Sequence, residues 1–326
     1  MSAELPAGLD DFLDQAGWRG AAVEPLAGDA SFRRYFRIRR GAMTAMLMDA
    51  PPPEEDAGPF LDVAHWLTAH GHRAPDIFAE DRARGLVLIE DFGHDRMRDW
   101  LDDNPHAQVE TYRTAIDALV RLHASPPGPF APYDMAAYQR EVGLFPEWFC
   151  RAAGIEVDAS GYAAAWDEAL APMLSRQVPG VTVLRDYHAE NIMLLPDGGQ
   201  GLIDFQDALV GHPAYDVVSL LQDARRDVDP ELQTLMLDHY ASQAGGDALF
   251  FEDYARLGAQ RNAKIVGIFA RLWKRDDKPR YLAFIPRVWE YLERDLRHPA
   301  LAPVSAWFAA NIPDDVRIRG GAGLGL

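Results

Sequence analysis

The front of the chain alternates short apolar runs with turn residues, a pattern typical of antiparallel strands. Five such runs precede the first long helical pattern, at positions 23–26, 35–39, 44–48, 77–79 and 86–89. Gly28 and Gly41 separate the first three runs, as expected for tight turns. Helical spacing of apolar residues predicts a short helix over 9–16 and an amphipathic helix around 60–67. We therefore expect a five-stranded antiparallel sheet in the first part of the protein.

From residue 95 onward the apolar positions recur with helical spacing. Helices are predicted near 97–101, 109–123, 144–149, 162–174, 213–226, 230–243, 252–275 and 280–296. The change from strand spacing to helical spacing of the apolar residues predicts two lobes. The N-terminal lobe is expected to comprise residues 1–92, and the helical lobe residues 93–326. The sequence thus predicts an α+β protein with two lobes.

Charge and cysteine content exclude several classes of partner. The formal net charge is −18, so neither nucleic acid nor an anionic membrane is expected to bind. The apolar runs are too short to span a bilayer, and the acid-rich start does not resemble a signal peptide. The single cysteine, Cys150, permits no internal disulfide and is expected in the core. We expect a cytoplasmic monomer.

The strongest chemical pattern joins Asp186, Asn191 and Asp204, with a hairpin predicted around 196–199. An aspartate at the first position suits a base that accepts the proton of an attacking hydroxyl. Asn191 and Asp204 offer the hard oxygen ligands that Mg²⁺ prefers, so the pattern predicts a phosphoryl-transfer site that uses ATP and Mg²⁺. With Arg185 before the base, the motif resembles the catalytic loop and metal-binding aspartate of the protein-kinase-like fold. A surface hairpin with solvated carboxylates is the simpler alternative, which this combination disfavours.

That fold normally carries a lysine on its third strand to bind the nucleotide phosphates. Met46 or Met48 occupies the expected place, and the first lysine of the chain is Lys264. Either the protein has lost activity or another cation replaces the lysine. Since the base and both metal ligands are present, we favour a guanidinium from one of three N-terminal arginines: Arg33, Arg34 or Arg37.

Two further segments are expected to bind the nucleotide. Backbone N–H groups of Ser31 and Phe32, in the first turn, are placed to cover its phosphates. The segment from Glu90 to Phe92 follows the fifth predicted strand, where the chain enters the helical lobe. Asp91-Phe92-Gly93 is similar to a metal-binding motif, but it lies too far upstream. We interpret Glu90 and Phe92 as part of a hinge that binds the adenine.

A family resemblance covers nearly the whole chain. Beyond residues 184–193 and 203–207, it rests on segments 28–37, 48–52, 211–216, 223–225, 260–262 and 269–273. These segments resemble the bacterial N-acetylmuramate/N-acetylglucosamine anomeric kinases, in the aminoglycoside-phosphotransferase branch of the bilobal protein-kinase-like fold. The resemblance implies phosphorylation of the sugar C1 hydroxyl by ATP in peptidoglycan recycling, upstream of a nucleotidyltransferase. It also implies Asp186 as base and Asn191 and Asp204 as magnesium ligands.

The resemblance does not identify the residues that bind the sugar. A carboxylate on the substrate favours an arginine partner, and an N-acetylhexosamine ring favours an aromatic platform with polar groups. The candidates in the helical lobe are Arg225, Arg261, Arg271 and Trp273. Simpler interpretations are a surface charge for Arg225 and a core position for Trp273.

Two other functions remain open at this point. One is a small-molecule kinase with a cationic substrate, such as an aminoglycoside or choline, which would need carboxylates or an aromatic cage. The other is a non-catalytic, pseudokinase-like binding module, suggested by the missing lysine. Protein-kinase activity is disfavoured, because no Ala-Pro-Glu segment follows Asp204.

The roles of three neighbouring polar residues are also open. Asp216 either binds backbone N–H groups of the loop around Asp186 or is a plain charge at a helix start. His188 is expected to hydrogen-bond within that loop, and His123 to be a packed histidine rather than a catalyst.

Overall fold

The computed structural model describes residues 5–26 and 33–321. These residues form two compact units. The first unit comprises the chain up to Asp103 together with Glu190–Asp207, and the second comprises Asn104–Ala189 and the chain from Ala208 onward. The lobe boundary after residue 92 remains a prediction.

The first unit contains the five-stranded antiparallel sheet that the sequence predicts. Its strands are β1 (Ala22–Pro25), β2 (Arg34–Arg40), β3 (Met43–Asp49), β4 (Ile77–Asp81) and β5 (Leu86–Glu90), in the order β1-β2-β3-β5-β4. Its helices are α1 (Leu9–Gln15), α2 (Gly58–Ala69) and α3 (Met97–Asp103). The neighbouring strands pair antiparallel throughout, with one irregularity between Ile77 and Ala79.

One apolar cluster stabilises this sheet. Phe36, Ile38 and Leu47 project from β2 and β3 and are almost fully buried. The apolar side of α1, including Phe12 and Leu13, belongs to the same cluster. Burying a side chain of this size contributes about 1.5–3 kcal/mol, so the sheet needs the helix to complete its core.

A β-hairpin from later in the chain completes the first unit. Its strands, β7 (Ile192–Leu194) and β8 (Gln200–Leu202), pair antiparallel, as the sequence predicts. Two backbone hydrogen bonds attach it: Leu194 N donates to Asp95 O at 2.7 Å, and Leu202 N donates to Arg73 O at 2.8 Å. The hairpin is therefore part of the same unit as the sheet.

The second unit is mostly helical. It contains α4 (Gln108–Ala124), α5 (Met135–Val142), α6 (Arg151–Ala153), α7 (Ala159–Arg176), β6 (Val181–Val183), β9 (Leu209–Gly211), α8 (Ala214–Leu221), α9 (Pro230–Ala244), α10 (Ala248–Asp276), α11 (Ile285–Asp295), α12 (Ala302–Asn311) and α13 (Asp314–Ile318). The predicted helix at 144–149 is a π-helical turn, Phe145–Cys150. Helix α8 is shorter than predicted, because Asp223 and Arg225 make loop contacts instead.

Helix α10 is the central element of the second unit. Its 29 residues span about 44 Å, and most side chains from Asp253 to Ala270 are buried. Asp247 is the N-cap of this helix. Its carboxylate accepts hydrogen bonds from the backbone N–H groups of Leu249 and Phe250, which have no partner within the helix. Among the helices in the described ranges, none is long and apolar enough to cross a membrane.

Two residues considered as possible reactive groups are packed in this core, as predicted. Cys150 is 1% exposed, and burial raises the pKa of its thiol to about 12, so it is an inert core thiol. The imidazole of His123 is buried, with Nδ1 at 2.7 Å from the Tyr240 hydroxyl.

Candidate active site

The loop at residues 184–189, hereafter the Asp186 loop, is bound by a buried carboxylate. Asp216, at the start of α8, is 0% exposed. Its two oxygens accept hydrogen bonds from Leu184 N at 2.7 Å and from Arg185 N at 2.8 Å. The structure thus decides the question left open by the sequence: Asp216 binds the loop backbone rather than serving as a plain helix charge.

The backbone of Arg185 is strained and held by several contacts. Its φ is 69°, in the left-handed region that few residues other than glycine adopt. Its guanidinium pairs with Glu141 and lies over the Tyr133 ring, and its carbonyl accepts from Ser219 Oγ at 3.1 Å. A strained backbone persists only where surrounding contacts hold it in place. Such strained residues are common at functional sites.

Asp186 follows directly and is partly open to solvent. Its side chain is 45% exposed, and Oδ1 lies 4.0 Å from an Nη atom of Arg261, on α10. Partial burial alone would raise the pKa of the Asp186 carboxyl, but the charges of Lys264 and the other nearby cations outweigh it. The pKa is therefore lowered. Asp186 is an ionised carboxylate at neutral pH, able to accept a hydrogen bond from a hydroxyl.

Lys264 and Glu141 are functional candidates that the sequence analysis did not identify. Lys264 Nζ lies 3.1 Å from a Glu141 oxygen and 3.1 Å from the Tyr215 hydroxyl. Burial opposes both charges, yet the pKa of Lys264 is raised and that of Glu141 lowered, because each neighbours opposite charge. Lys264 lies three residues after Arg261, on the same face of α10. This spacing is the pattern in the sequence that could have identified Lys264 as a neighbour of Arg261.

His188 and Arg225 meet beside the same loop. Their closest nitrogens, His188 Nε2 and Arg225 Nη1, are 3.1 Å apart, so the imidazole contacts a residue outside the loop, and a hydrogen bond of His188 within the loop stays a prediction. Burial lowers the pKa of His188, which favours the neutral imidazole. Asp223 accepts from Ala189 N at 3.3 Å and from Arg225 N at 2.8 Å, so residues 223–225 support the loop from a second side.

In the first unit, Asn191 and Asp204 lie together, as the sequence predicts. Asn191 Nδ2 donates to Asp204 Oδ2 at 3.3 Å, and Gln206 Nε2 donates to Oδ1 at 2.9 Å. Asp204 is exposed, with a φ of 59°. Within residues 5–26 and 33–321, no group of three or more His, Cys, Asp or Glu side chains could hold a metal. Mg²⁺ commonly takes one or two carboxylates plus phosphate and water, so this oxygen pair suits it.

Arg33 and Asp204 both act on the hydroxyl of Tyr35. Its guanidinium pairs with Glu55 at 3.2 Å and hydrogen-bonds the Tyr35 hydroxyl. Burial raises the pKa of Tyr35, Arg33 opposes the rise, and the charge of Asp204 adds to it. Protein kinases use a comparable cation–glutamate pair beside the phosphates.

The other two N-terminal arginines are engaged elsewhere. Arg34 binds Asp49 at 2.5 Å, with its own side chain 41% exposed. Arg37 is buried and makes two bonds to Asp91, at 2.7 and 3.0 Å, and one to Gly93 O at 3.0 Å. The Asp91 carboxylate is therefore committed to an arginine, which agrees with its interpretation as something other than a metal ligand.

The predicted hinge residues are anchored by local contacts. Arg73 binds both oxygens of Glu90, at 2.6 and 2.5 Å, and its guanidinium lies 4.7 Å from the centroid of the Phe92 ring. A Cβ at Gly201, on β8, would lie 2.5 Å from that ring, so glycine is needed there. A role for Glu90 and Phe92 in binding adenine remains a prediction. The predicted phosphate contacts Ser31 and Phe32 lie outside the described residues.

The sugar-binding candidates do not all lie in one place. The structure brings Arg225 and Arg261 to the Asp186 loop. Arg271 and Trp273 follow Arg261 by ten and twelve residues on α10, or roughly 15 and 18 Å along its axis. These two residues therefore do not share the position of Arg261 beside Asp186.

Comparison with known proteins identifies the family. The model of the phosphotransferase enzyme family matches residues 22–259, which is most of the chain. The chain belongs to the phosphotransferase enzyme family. It is 38% identical to the N-acetylmuramate/N-acetylglucosamine kinase of Caulobacter vibrioides, over 97% of this chain and 99% of that protein. It is also 38% identical to the Pseudomonas aeruginosa protein of the same name, over 95% of each chain.

A solved structure confirms the fold of this phosphotransferase. The ADP-bound aminoglycoside phosphotransferase APH(2'')-Ib superposes with a TM-score of 0.62 at 13% identity, over 89% of this chain and 97% of that chain. The predicted α+β fold of the protein-kinase-like class is thereby confirmed.

The contacts of Lys264 generate a prediction about the pH dependence of phosphotransferase activity. Lys264→Met removes a charge that lowers the pKa of Asp186, so this pKa should rise. If Asp186 is the base, only its ionised carboxylate is active, and activity is lost as pH falls through that pKa. The acidic limb of the kcat/KM profile should therefore move to higher pH.

Lys264→Arg is the matched control, because it keeps the positive charge. Its acidic limb should stay where the wild-type limb lies, with thermal melts showing that both variants are folded. Identical acidic limbs in the methionine and arginine variants would show that Lys264 does not act on Asp186 through its charge.

Proposed function

We propose that the protein is an ATP-dependent kinase that phosphorylates the anomeric C1 hydroxyl of N-acetylmuramate and N-acetylglucosamine. The observation that carries this proposal is the ionised Asp186 on a loop bound by Asp216, in a chain whose near full-length relatives are named N-acetylmuramate/N-acetylglucosamine kinase. The sugar 1-phosphate product would supply a nucleotidyltransferase in peptidoglycan recycling. We place the enzyme in the cytoplasm, as a monomer.

The low pKa of Asp186 suits this acceptor. An anomeric hydroxyl is more acidic than an ordinary sugar alcohol, so a weak base is sufficient. In a loose phosphoryl-transfer transition state, the base orients the hydroxyl and takes its proton late. Asp186 would perform both tasks while its neighbouring cations keep it ionised between turnovers.

Asn191 and Asp204 would hold Mg²⁺. When bound with ATP, the ion neutralises charge that develops on the transferred phosphoryl group. Asp204 is supported for this role by its exposure and by two amide donors that fix its orientation.

Arg33 is the best replacement for the missing lysine. It is the arginine that pairs with a glutamate, as the kinase lysine does, and that neighbours Asp204 through Tyr35. Arg37 is fully engaged by Asp91 and Gly93, which leaves little donor capacity for a phosphate.

Arg261 is the best candidate for an acceptor contact. Its side chain is buried, and its Nη2 donates to Ser219 Oγ at 2.8 Å. Its Nη1 is buried and has no hydrogen-bond partner within the described chain. Leaving such a donor unsatisfied costs about 1–3 kcal/mol, so an acceptor oxygen that binds it would gain affinity.

The alternative functions have less support. Against the effect of burial, the permanent charges that act most strongly on the Asp186 carboxyl are cationic, those of Lys264, Arg261 and Arg185, and they lower its pKa. This balance disfavours a cationic acceptor such as choline or an aminoglycoside. A non-catalytic binding module would have no need of the strained Arg185 and the buried Asp216 that fix the base.

The acceptor prediction can be tested by measuring ADP release with Mg²⁺ and ATP. N-acetylmuramate, N-acetylglucosamine, choline and an aminoglycoside would be compared, with phosphorus NMR of the product. We expect turnover with the two amino sugars and a C1 phosphate. Turnover only with the cationic compounds, or phosphorylation at another hydroxyl, would contradict the proposal.

The role of Arg33 predicts a specific loss of nucleotide affinity. Arg33→Gln should raise the KM for ATP at least tenfold, since a hydrogen bond to a charged group contributes about 1.5–3 kcal/mol. Arg34→Gln is the control, because it removes a neighbouring guanidinium that is bound to Asp49. Its KM for ATP should change less than threefold. Equal effects of the two substitutions would refute the assignment.

A further inference from the structure

A cavity in the helical unit is rich in arginine, and Asp186 is not among the residues that line it. It encloses about 630 Å³ between the segment that follows α8, the first turn of α9 and one face of α11. We call it the arginine pocket and define it by Arg226, Arg287, Arg294, Arg297, Tyr291 and Gln233. Its volume falls within the range of about 300–1,000 Å³ that is usual for small-molecule sites.

The charges that line the arginine pocket favour an anion. Its four guanidinium groups face three carboxylates, those of Asp227, Asp229 and Glu290. Two of these are already engaged: Asp227 pairs with Arg287, and Asp229 accepts from Glu231 N at the start of α9. The lining residues carry one more positive than negative charge, and Arg294 also pairs with the buried Asp295 at 3.6 Å, so Arg297 is the main source of unpaired positive charge.

Other groups in the pocket suit a polar ring. Arg294 lies over the Tyr291 ring at 5.1 Å and donates to Gln233 Oε1 at 2.8 Å. Arg297 is exposed, and its side chain makes no hydrogen bond or ion pair among the residues that the structure describes. Its planar guanidinium is therefore available for a bidentate contact with a carboxylate or phosphate.

The pocket adjoins the residues that support the Asp186 loop. Arg287 Nη1 donates to Ala224 O at 3.1 Å and its Nε pairs with Asp227. On the other side of this short segment, Asp223 accepts from Ala189 N of the loop. Residues 223–227 thus contact the loop on one side and line the pocket on the other.

From these contacts we propose that the arginine pocket binds a carboxylate or a phosphate monoester carried by a sugar-sized ligand. The anion has two possible sources: the carboxylate of the acceptor sugar, or a separate phosphorylated ligand. The identity of the sugar rests on the proposed function, whereas the anion site rests on the pocket alone.

The test compares the double variant Arg294→Gln/Arg297→Gln with the wild type. Calorimetric titrations would use inorganic phosphate and N-acetylmuramate separately, with nucleotide absent. Steady-state assays would give the KM for N-acetylmuramate and for N-acetylglucosamine, which lacks the carboxylate. The control is Arg19→Gln/Arg319→Gln, which removes two exposed arginines outside the pocket.

We expect the pocket variant to bind at least one of the two anions at least tenfold more weakly, while the control binds as the wild type does. A raised KM for N-acetylmuramate alone would identify the acceptor carboxylate as the occupant. Weaker phosphate binding with both KM values unchanged would identify a separate anionic ligand.

The proposal is overturned if the wild type binds neither anion, or if the pocket variant and the wild type agree in both affinities and both KM values. Absence of turnover with both sugars would refute the proposed function instead. The phosphate titration would still test the pocket in that case.

Discussion

The two hydrogen bonds between the Asp216 carboxylate and the backbone of residues 184 and 185 are the constraint on which the rest of the site depends. A carboxylate buried without partners would cost several kcal/mol, and these two backbone donors offset that cost. The same bonds fix the residue that precedes Asp186, whose strained backbone Glu141 and Ser219 also hold. Asp186 is therefore held in a defined position, and as the proposed base it would need little further ordering when an acceptor binds.

Local charge decides the chemistry of Asp186, although the whole protein is strongly acidic. Arg185, Arg261 and Lys264 lie beside this carboxylate and lower its pKa against the effect of burial. At physiological salt, screening acts over about 8 Å, so these neighbours outweigh the distant acidic surface. An anionic acceptor is therefore compatible with a net charge of −18. The arginine pocket is a second place where local cations depart from the overall charge.

The sequence predicts the elements of this fold because strand and helix periods are local properties. The pattern of Asp186, Asn191 and Asp204 is also local, since one hairpin joins Asn191 to Asp204 and Asp186 lies five residues before Asn191. Glu141 could not be found this way, because α5 meets the loop only in the tertiary structure, and the only local pattern for Lys264 was its spacing from Arg261 on α10. Asp216 was ambiguous for a related reason: an aspartate at a helix start looks the same whether it binds the helix or a loop. Arg271 and Trp273 were chosen for their chemistry, an arginine for a carboxylate and an aromatic side chain for a sugar ring, and helix geometry places them far along α10 from Arg261.

The central claim is that Asp186 is the base of a phosphotransferase, and the most direct test is turnover by Asp186→Asn. Asparagine keeps the size of the side chain and removes the charge. Asp238→Asn is the matched control, since Asp238 is an exposed carboxylate on α9. We expect kcat to fall at least a hundredfold in the Asp186 variant, with ATP affinity within about threefold of wild type. Turnover close to that of the wild type and of the Asp238 variant would contradict the account.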